Sequence, residues 1–106
     1  MESGLVYQAL RDKQVDVGLV FATDGRIAAF GFKVLKDDKG YFPNYAMVPN
    51  VRKAVLDGNP KIGKLLNKLS SKLEDSTMQK LNAEIDVEKK TVEQVAEEFL
   101  KSKGLI

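Results

Sequence analysis

Val15-Asp16-Val17-Gly18-Leu19-Val20-Phe21-Ala22-Thr23-Asp24-Gly25-Arg26 is the stretch that decides the reading of this chain. Val15, Val17, Leu19 and Phe21 alternate with smaller or polar residues, and the β-branched content predicts a strand over 15–21. Thr23 and Asp24 are good N-cap types, and Ile27 to Phe30 fits a short helical turn before Gly31. Upstream, Leu5, Val6, Ala9 and Leu10 recur at helical spacing, which predicts an amphipathic helix over 4–13. A helix feeding a strand in this way belongs to the α/β class.

Downstream, Phe32 to Lys36 reads as a second strand, ended by the turn signal Asp37-Asp38-Lys39-Gly40. Pro43 and Pro49 push the residues before them toward extended geometry, so 42–48 reads as a third extended stretch. From Pro49 onward the pattern becomes helical. A helix over 49–56 is expected, with Pro49 in its first turn and Asp57-Gly58-Asn59 as its stop. Ile62, Leu65, Leu66, Leu69 and Leu73 form the apolar stripe of the next helix, with Lys61, Lys64, Lys68 and Lys72 outside it. Ser76 with Gln79, and Thr91 with Gln94, fit the capping-box pattern. They open helices whose expected buried faces are Met78, Leu81 and Ile85, then Val92, Val95, Ala96 and Phe99. Gly104 is the expected C-terminal stop. There is no internal repeat and no low-complexity segment.

Composition narrows the chemistry. The chain has 106 residues, 17 basic and 15 acidic side chains, and a formal net charge of +2. That is one modest core, with charges too evenly mixed to favour nucleic acid as a partner. The sequence contains neither cysteine nor histidine. Thiolate nucleophiles, disulfides, most zinc sites and the usual general base are thereby removed. No Ser-His-Asp, HExxH, P-loop or GxGxxG pattern occurs, so an enzyme reading has no nucleophile and base to stand on. No cofactor or metal is expected. No apolar run approaches 18 residues, and Met1-Glu2-Ser3 carries no targeting pattern; an export signal or anchor is expected outside this chain.

Two constellations remain. Phe21, Tyr41 and Tyr45 flank turns and strand ends rather than helical stripes. Their ring faces suit a quaternary ammonium, which needs several rings at once. The plain alternative is that Phe21 is strand core while Tyr41 and Tyr45 plug the end of a sheet. Thr23-Asp24-Gly25-Arg26, in turn, offers backbone N–H groups and a hydroxyl to a carboxylate. Here the alternative is that Asp24 is a cap and Arg26 a solvated charge. Asp37-Asp38, Glu88-Lys89-Lys90 and Glu97-Glu98 read as hydrated turns and helix faces rather than acid–base or metal groups.

Leu5-Val6-Tyr7-Gln8-Ala9-Leu10, Val15-Asp16-Val17, Phe21 to Ile27, Asp37 to Tyr45 and Pro49-Asn50-Val51-Arg52, with the Leu-rich helix and Val95 to Leu100, together carry a resemblance over essentially the whole chain. It resembles the C-terminal part of the glycine betaine, carnitine and choline type of substrate-binding protein of osmoprotectant ABC transporters. The resemblance implies a partial type II periplasmic-binding-protein fold, with short β segments in the first half and a helical C-terminal half. It also implies a box of aromatic rings around a trimethylammonium group, with Phe21 and Tyr45 each supplying one wall and Thr23 and Asp24 lining the cleft nearby. Tyr7 is expected to be packing.

The family often has tyrosine where this chain has Phe21. Phenylalanine keeps the π-face and loses a hydrogen-bond partner, shifting the expectation from glycine betaine toward another betaine, choline or an amino-acid betaine such as ergothioneine. By the same resemblance, 1–36 would come from the second lobe, 37–48 would cross back, and the helices of 49–106 would belong to the first lobe. An extracytoplasmic setting, an ABC permease as partner, and either self-association or a complementary lobe follow as expectations. From another class, a small protein-interaction domain with the aromatic turn as core remains the alternative.

Overall fold

A computed structural model of the chain describes residues 2–43 and 45–106. Its elements are six helices: α1 (Ser3–Arg11), α2 (Gly25–Phe30), α3 (Lys53–Gly58), α4 (Lys61–Ser70), α5 (Asp75–Asp86) and α6 (Val92–Ser102). Helix α1 ends two residues before the expected boundary. Asp12 takes the C-cap position and Lys13 turns into left-handed backbone at φ 56°. Gly31 and Gly104 stop α2 and α6, both with positive φ, as a C-terminal glycine does without a Cβ penalty.

None of the three expected β segments is a strand among the described residues. Residues 15–21, 32–36 and 42–48 run without regular pairing, and Asn44, inside the third, lies outside the described residues. The described residues form helices joined by unpaired connecting segments, and the short β segments of the α/β expectation are not shown. The physical reason is that a strand is made by its ladder, and alternation only prepares one face for burial. In 15–21 that preparation is visible. Gly18 lies against α1, where an added Cβ would stand 2.6 Å from Val6 Cγ1. Val17, Leu19 and Phe21 point outward at 71%, 77% and 74% exposure.

Helix α3 begins at Lys53 rather than Pro49. Asn50 and β-branched Val51 are poor helix formers, whereas Lys53 and Asp57 make an i,i+4 ion pair of 2.7 Å inside the observed helix. Helix α4 stops at Ser70, with Ser71 as C-cap, short of the expected Leu73. The expected capping box of Ser76 and Gln79 does not form. Helix α5 starts at Asp75, with Glu74 rather than Ser76 at the N-cap, two positions earlier than expected, and the Gln79 side chain is engaged elsewhere, on the carbonyl of Ala22. The Thr91–Gln94 box is present with both arms at 3.2 Å.

Helix α5 packs on α2 and α6, and α3 packs on α4. Among the described residues the buried apolar side chains are Tyr7, Ala9, Ile27, Ala83 and Val95. Of the faces expected to be buried, Met78, Leu81, Ile85 and Phe99 are half-buried, and Val92 and Ala96 are exposed. The radius of gyration is 16.9 Å, against about 13 Å for a compact domain of this length. Much apolar surface therefore stands without a protein neighbour in this chain.

Candidate functional site

The 21–26 stretch is held by hydrogen bonds within itself and from α5. Asp24 N–H donates to the Phe21 carbonyl at 3.0 Å, closing a turn. The Asp24 carboxylate then accepts from Arg26 N–H at 2.9 Å as the N-cap of α2. This satisfies one of the donors that a helix start leaves unpaired, so the cap alternative for Asp24 is what the structure shows.

Helix α5 holds the same turn from the other side. Gln79 Nε2 donates to the Ala22 carbonyl at 2.5 Å, and Asn82 Nδ2 to the Thr23 carbonyl at 2.7 Å. Gly25 is buried because α2 begins directly on the α5 backbone. A Cβ there would stand 2.3 Å from Ala83 N and 2.6 Å from Ala83 Cα.

Arg26 is not a solvated charge. Its guanidinium lies 5.2 Å above the Tyr7 ring and 3.9 Å from Asp24 Oδ2. Tyr7 is 2% exposed and stacks on Phe32, with ring centroids 6.4 Å apart; it is packing, as expected. Its hydroxyl is buried with no partner in hydrogen-bond geometry. Burial first, and the nearby Asp24 carboxylate second, push the Tyr7 phenol up to about 12.

Phe21 and Tyr45 are 74% and 83% exposed, and Tyr41 is 83% exposed with an edge-on contact to Phe42. Among the described residues no ring pair joins Phe21 to Tyr45, and both rings face solvent. Thr23 and Asp24 are half-buried beside Phe21. The structure thus brings Phe21, Thr23 and Asp24 together on one turn and leaves Tyr45 on a separate extended segment.

A groove of about 400 Å³ between α2 and α5 is lined by Ala28, Lys80, Glu84 and Val87 among others, and a second of about 280 Å³ lies beside α1. Neither is lined by Phe21, Thr23, Asp24 or Tyr45, so neither concavity coincides with the aromatic turn.

The turn 37–42 is organised by Asp37, whose carboxylate accepts from Phe42 N–H at 2.8 Å. The backbone donors of Phe42 and Tyr41 hold that carboxyl below its ordinary value. Lys90 joins α5 to α6, at 2.7 Å from Glu84 and 3.4 Å from Glu98. Its ammonium is held above its usual value, first by the Glu84 hydrogen bond. Both clusters are turn and helix-face electrostatics, and no group of three or more metal-ligating side chains occurs among the described residues.

Gln79 and Asn82 were not legible as site residues, since each fits an ordinary polar position on an amphipathic helix. Their spacing of three does put them on one face, but nothing in the sequence says what that face meets.

Comparison with known proteins gives a consistent result. Residues 1–102 match the family described as the substrate binding domain of ABC-type glycine betaine transport systems. The chain is 47% identical to the glycine-betaine-binding protein of Pseudomonas aeruginosa over all of its own length and 34% of that protein. It is 43% identical to the carnitine transport binding protein OpuCC of Listeria monocytogenes over 94% of this chain and 32% of that one. With the ergothioneine transport permease/ergothioneine binding protein EgtU of Helicobacter pylori it shares 42% identity over 99% of its length and 19% of that protein. A crystal structure of a glycine betaine/carnitine/choline ABC transporter protein superimposes with a TM-score of 0.93 at 47% identity, covering 99% of this chain and 38% of the other. The chain spans about a third or less of the length of these curated relatives. The family is one of transport binding proteins rather than enzymes, and this chain belongs to it: the substrate-binding domains of ABC-type glycine betaine transport systems.

Proposed function

We propose that this chain supplies one side of the ligand site of an ABC importer for quaternary-ammonium compounds such as glycine betaine, choline, carnitine or ergothioneine. Phe21 and Tyr45 are two walls of an aromatic cation box, and Thr23 and Asp24 line the cleft nearby. The observation that carries this reading is the exposure of both rings, at 74% and 83%, in a chain of this family. A diffuse cation is attracted to each ring face by about 0.5 to 2 kcal/mol, most strongly once water is excluded. Two exposed rings give the low end of that range, so the remaining walls and the closed cleft come from a complementary part of the fold.

In that arrangement 1–36 belongs to the second lobe, 37–48 is the crossing segment, and α3 and α4 belong to the first. The sequence reading placed all of 49–106 in the first lobe. The contacts of α5 with the 22–25 turn instead favour grouping α5 and α6 with 1–36. By itself the chain self-associates through its uncovered apolar segments, and with the complementary lobe it forms a closed site. The assembled protein works outside the cytoplasmic membrane and delivers its ligand to an ABC permease.

A thermal-shift screen of the four ligands tests the reading, run on the chain alone and on a chimera. In the chimera this chain replaces the 34% of the Pseudomonas aeruginosa protein that it matches. The chimera shifts with at least one ligand; no shift with any of them contradicts the proposal.

A further inference from the structure

The amides of α5 carry an inference about how the site is held. We propose that Gln79 and Asn82 are positioning residues for the cation site, fixing the 21–24 turn so that the Phe21 ring stands in the cleft. This rests on the reading of Phe21 as a box wall.

The geometry is specific. Gln79 and Asn82 are one helical turn apart and donate to the consecutive carbonyls of Ala22 and Thr23. Asp24 N–H closes the turn on the Phe21 carbonyl, and the Asp24 carboxylate takes Arg26 N–H. Gly25 lies on the backbone at Asn82 and Ala83. Phe21, Ala22 and Thr23 carbonyls and the Asp24 and Arg26 N–H groups thus all have fixed partners, two of them from a helix nearly 60 positions away. The neighbouring 15–21 segment has no ladder to hold it, so the direction of the Phe21 ring is set by this turn. A carboxylate of the same shape serves at neither position, because it has no donor and repels the carbonyl.

The test uses Q79E and N82D, which keep side-chain shape and remove the donors. In the 106-residue chain, hydrogen exchange of the Asp24 amide speeds up in the double variant. Exchange of the Gln94 amide, bonded within the α6 capping box, stays unchanged. Unaltered protection of Asp24 overturns the proposal. In the chimera, Q79E weakens binding of the best of the four ligands about fivefold. Once F21L has removed the ring, Q79E costs less than about twofold more, the non-additivity expected when one residue acts through another. If F21L weakens binding but Q79E adds its full effect on top, Gln79 does not act through Phe21 and the inference fails. If F21L leaves binding unchanged, it is the box reading that fails, and the exchange measurement still decides whether α5 holds the turn.

Discussion

Gly25 lies so close to Ala83 that a Cβ on it would fall 2.3 Å from the Ala83 backbone nitrogen. That approach fixes where α2 meets α5 and brings the amides of α5 within reach of the 21–24 turn. The obstructing atoms are backbone and cannot swing aside. Gly25→Ala should therefore force the helices apart and destabilise the chain by about 1 to 3 kcal/mol, as overpacking of a closed contact does. Chemical denaturation followed by circular dichroism measures this, and a stability within about 0.3 kcal/mol of the parent would show that the contact is not maintained.

Ile27, 3% exposed on α2, is one of the few fully covered side chains. Ile27→Ala removes three carbons from that contact and should cost about 2 to 5 kcal/mol. In so small a core this is enough to unfold a large fraction of the chain, seen as loss of the cooperative transition. A shift below about 1 kcal/mol would mean that the Ile27 side chain is not held in a closed core.

Some of this architecture was legible in the residues. The Thr91–Gln94 box, the Asp24 cap, and the glycine stops at 31 and 104 are local devices, completed by atoms within a few positions, and the structure has all of them. The expected strands at 15–21, 32–36 and 42–48 are not formed among the described residues, because their pattern reports which face is to be buried, while pairing depends on a partner that the pattern does not contain. Gln79 went wrong for the converse reason. Its spacing from Ser76 is a local signal, and a contact 57 positions away took the side chain instead. The aromatic turn itself was visible; the two amides that hold it were not.

Tyr7 gives a prediction in alkaline solution. Its folded phenol is raised to about 12 from an ordinary value of 10.0, so the folded state holds that proton more tightly than the unfolded chain. The corresponding stability is intact below about pH 10 and is lost as pH rises from there through about 12. Spectrophotometric titration should show the Tyr7 phenol ionising near 12. Tyr7→Phe removes a buried hydroxyl that lies near the Asp24 carboxylate but outside geometric hydrogen-bond criteria. It should leave stability at pH 7 within about 1 kcal/mol while flattening the alkaline loss. A strong loss of stability at pH 7 would mean that the hydroxyl is bonded after all.

Thr91→Ala removes the acceptor for Gln94 N–H and should cost about 1 kcal/mol. The change should be local, with faster amide exchange in the first turn of α6 and unchanged exchange at Asp24. Equal deprotection at both places would show that α6 and the aromatic turn open as one unit.

The uncovered apolar segments predict association. Val17, Leu19, Leu35 and Met47 are each 69% exposed or more. Light scattering after size exclusion should give a mass above that of one 11.8 kDa chain, and a stable monomer at the same concentration counts against self-association.

Calorimetric titration of the chimera against choline, glycine betaine, carnitine and ergothioneine tests whether Phe21 and Tyr45 face a quaternary ammonium. The expected result is binding of at least one of these ligands, weakened about tenfold or more by Tyr45→Leu with no change in the unfolding midpoint of the free protein. Undiminished binding by the Y45L variant would contradict the account.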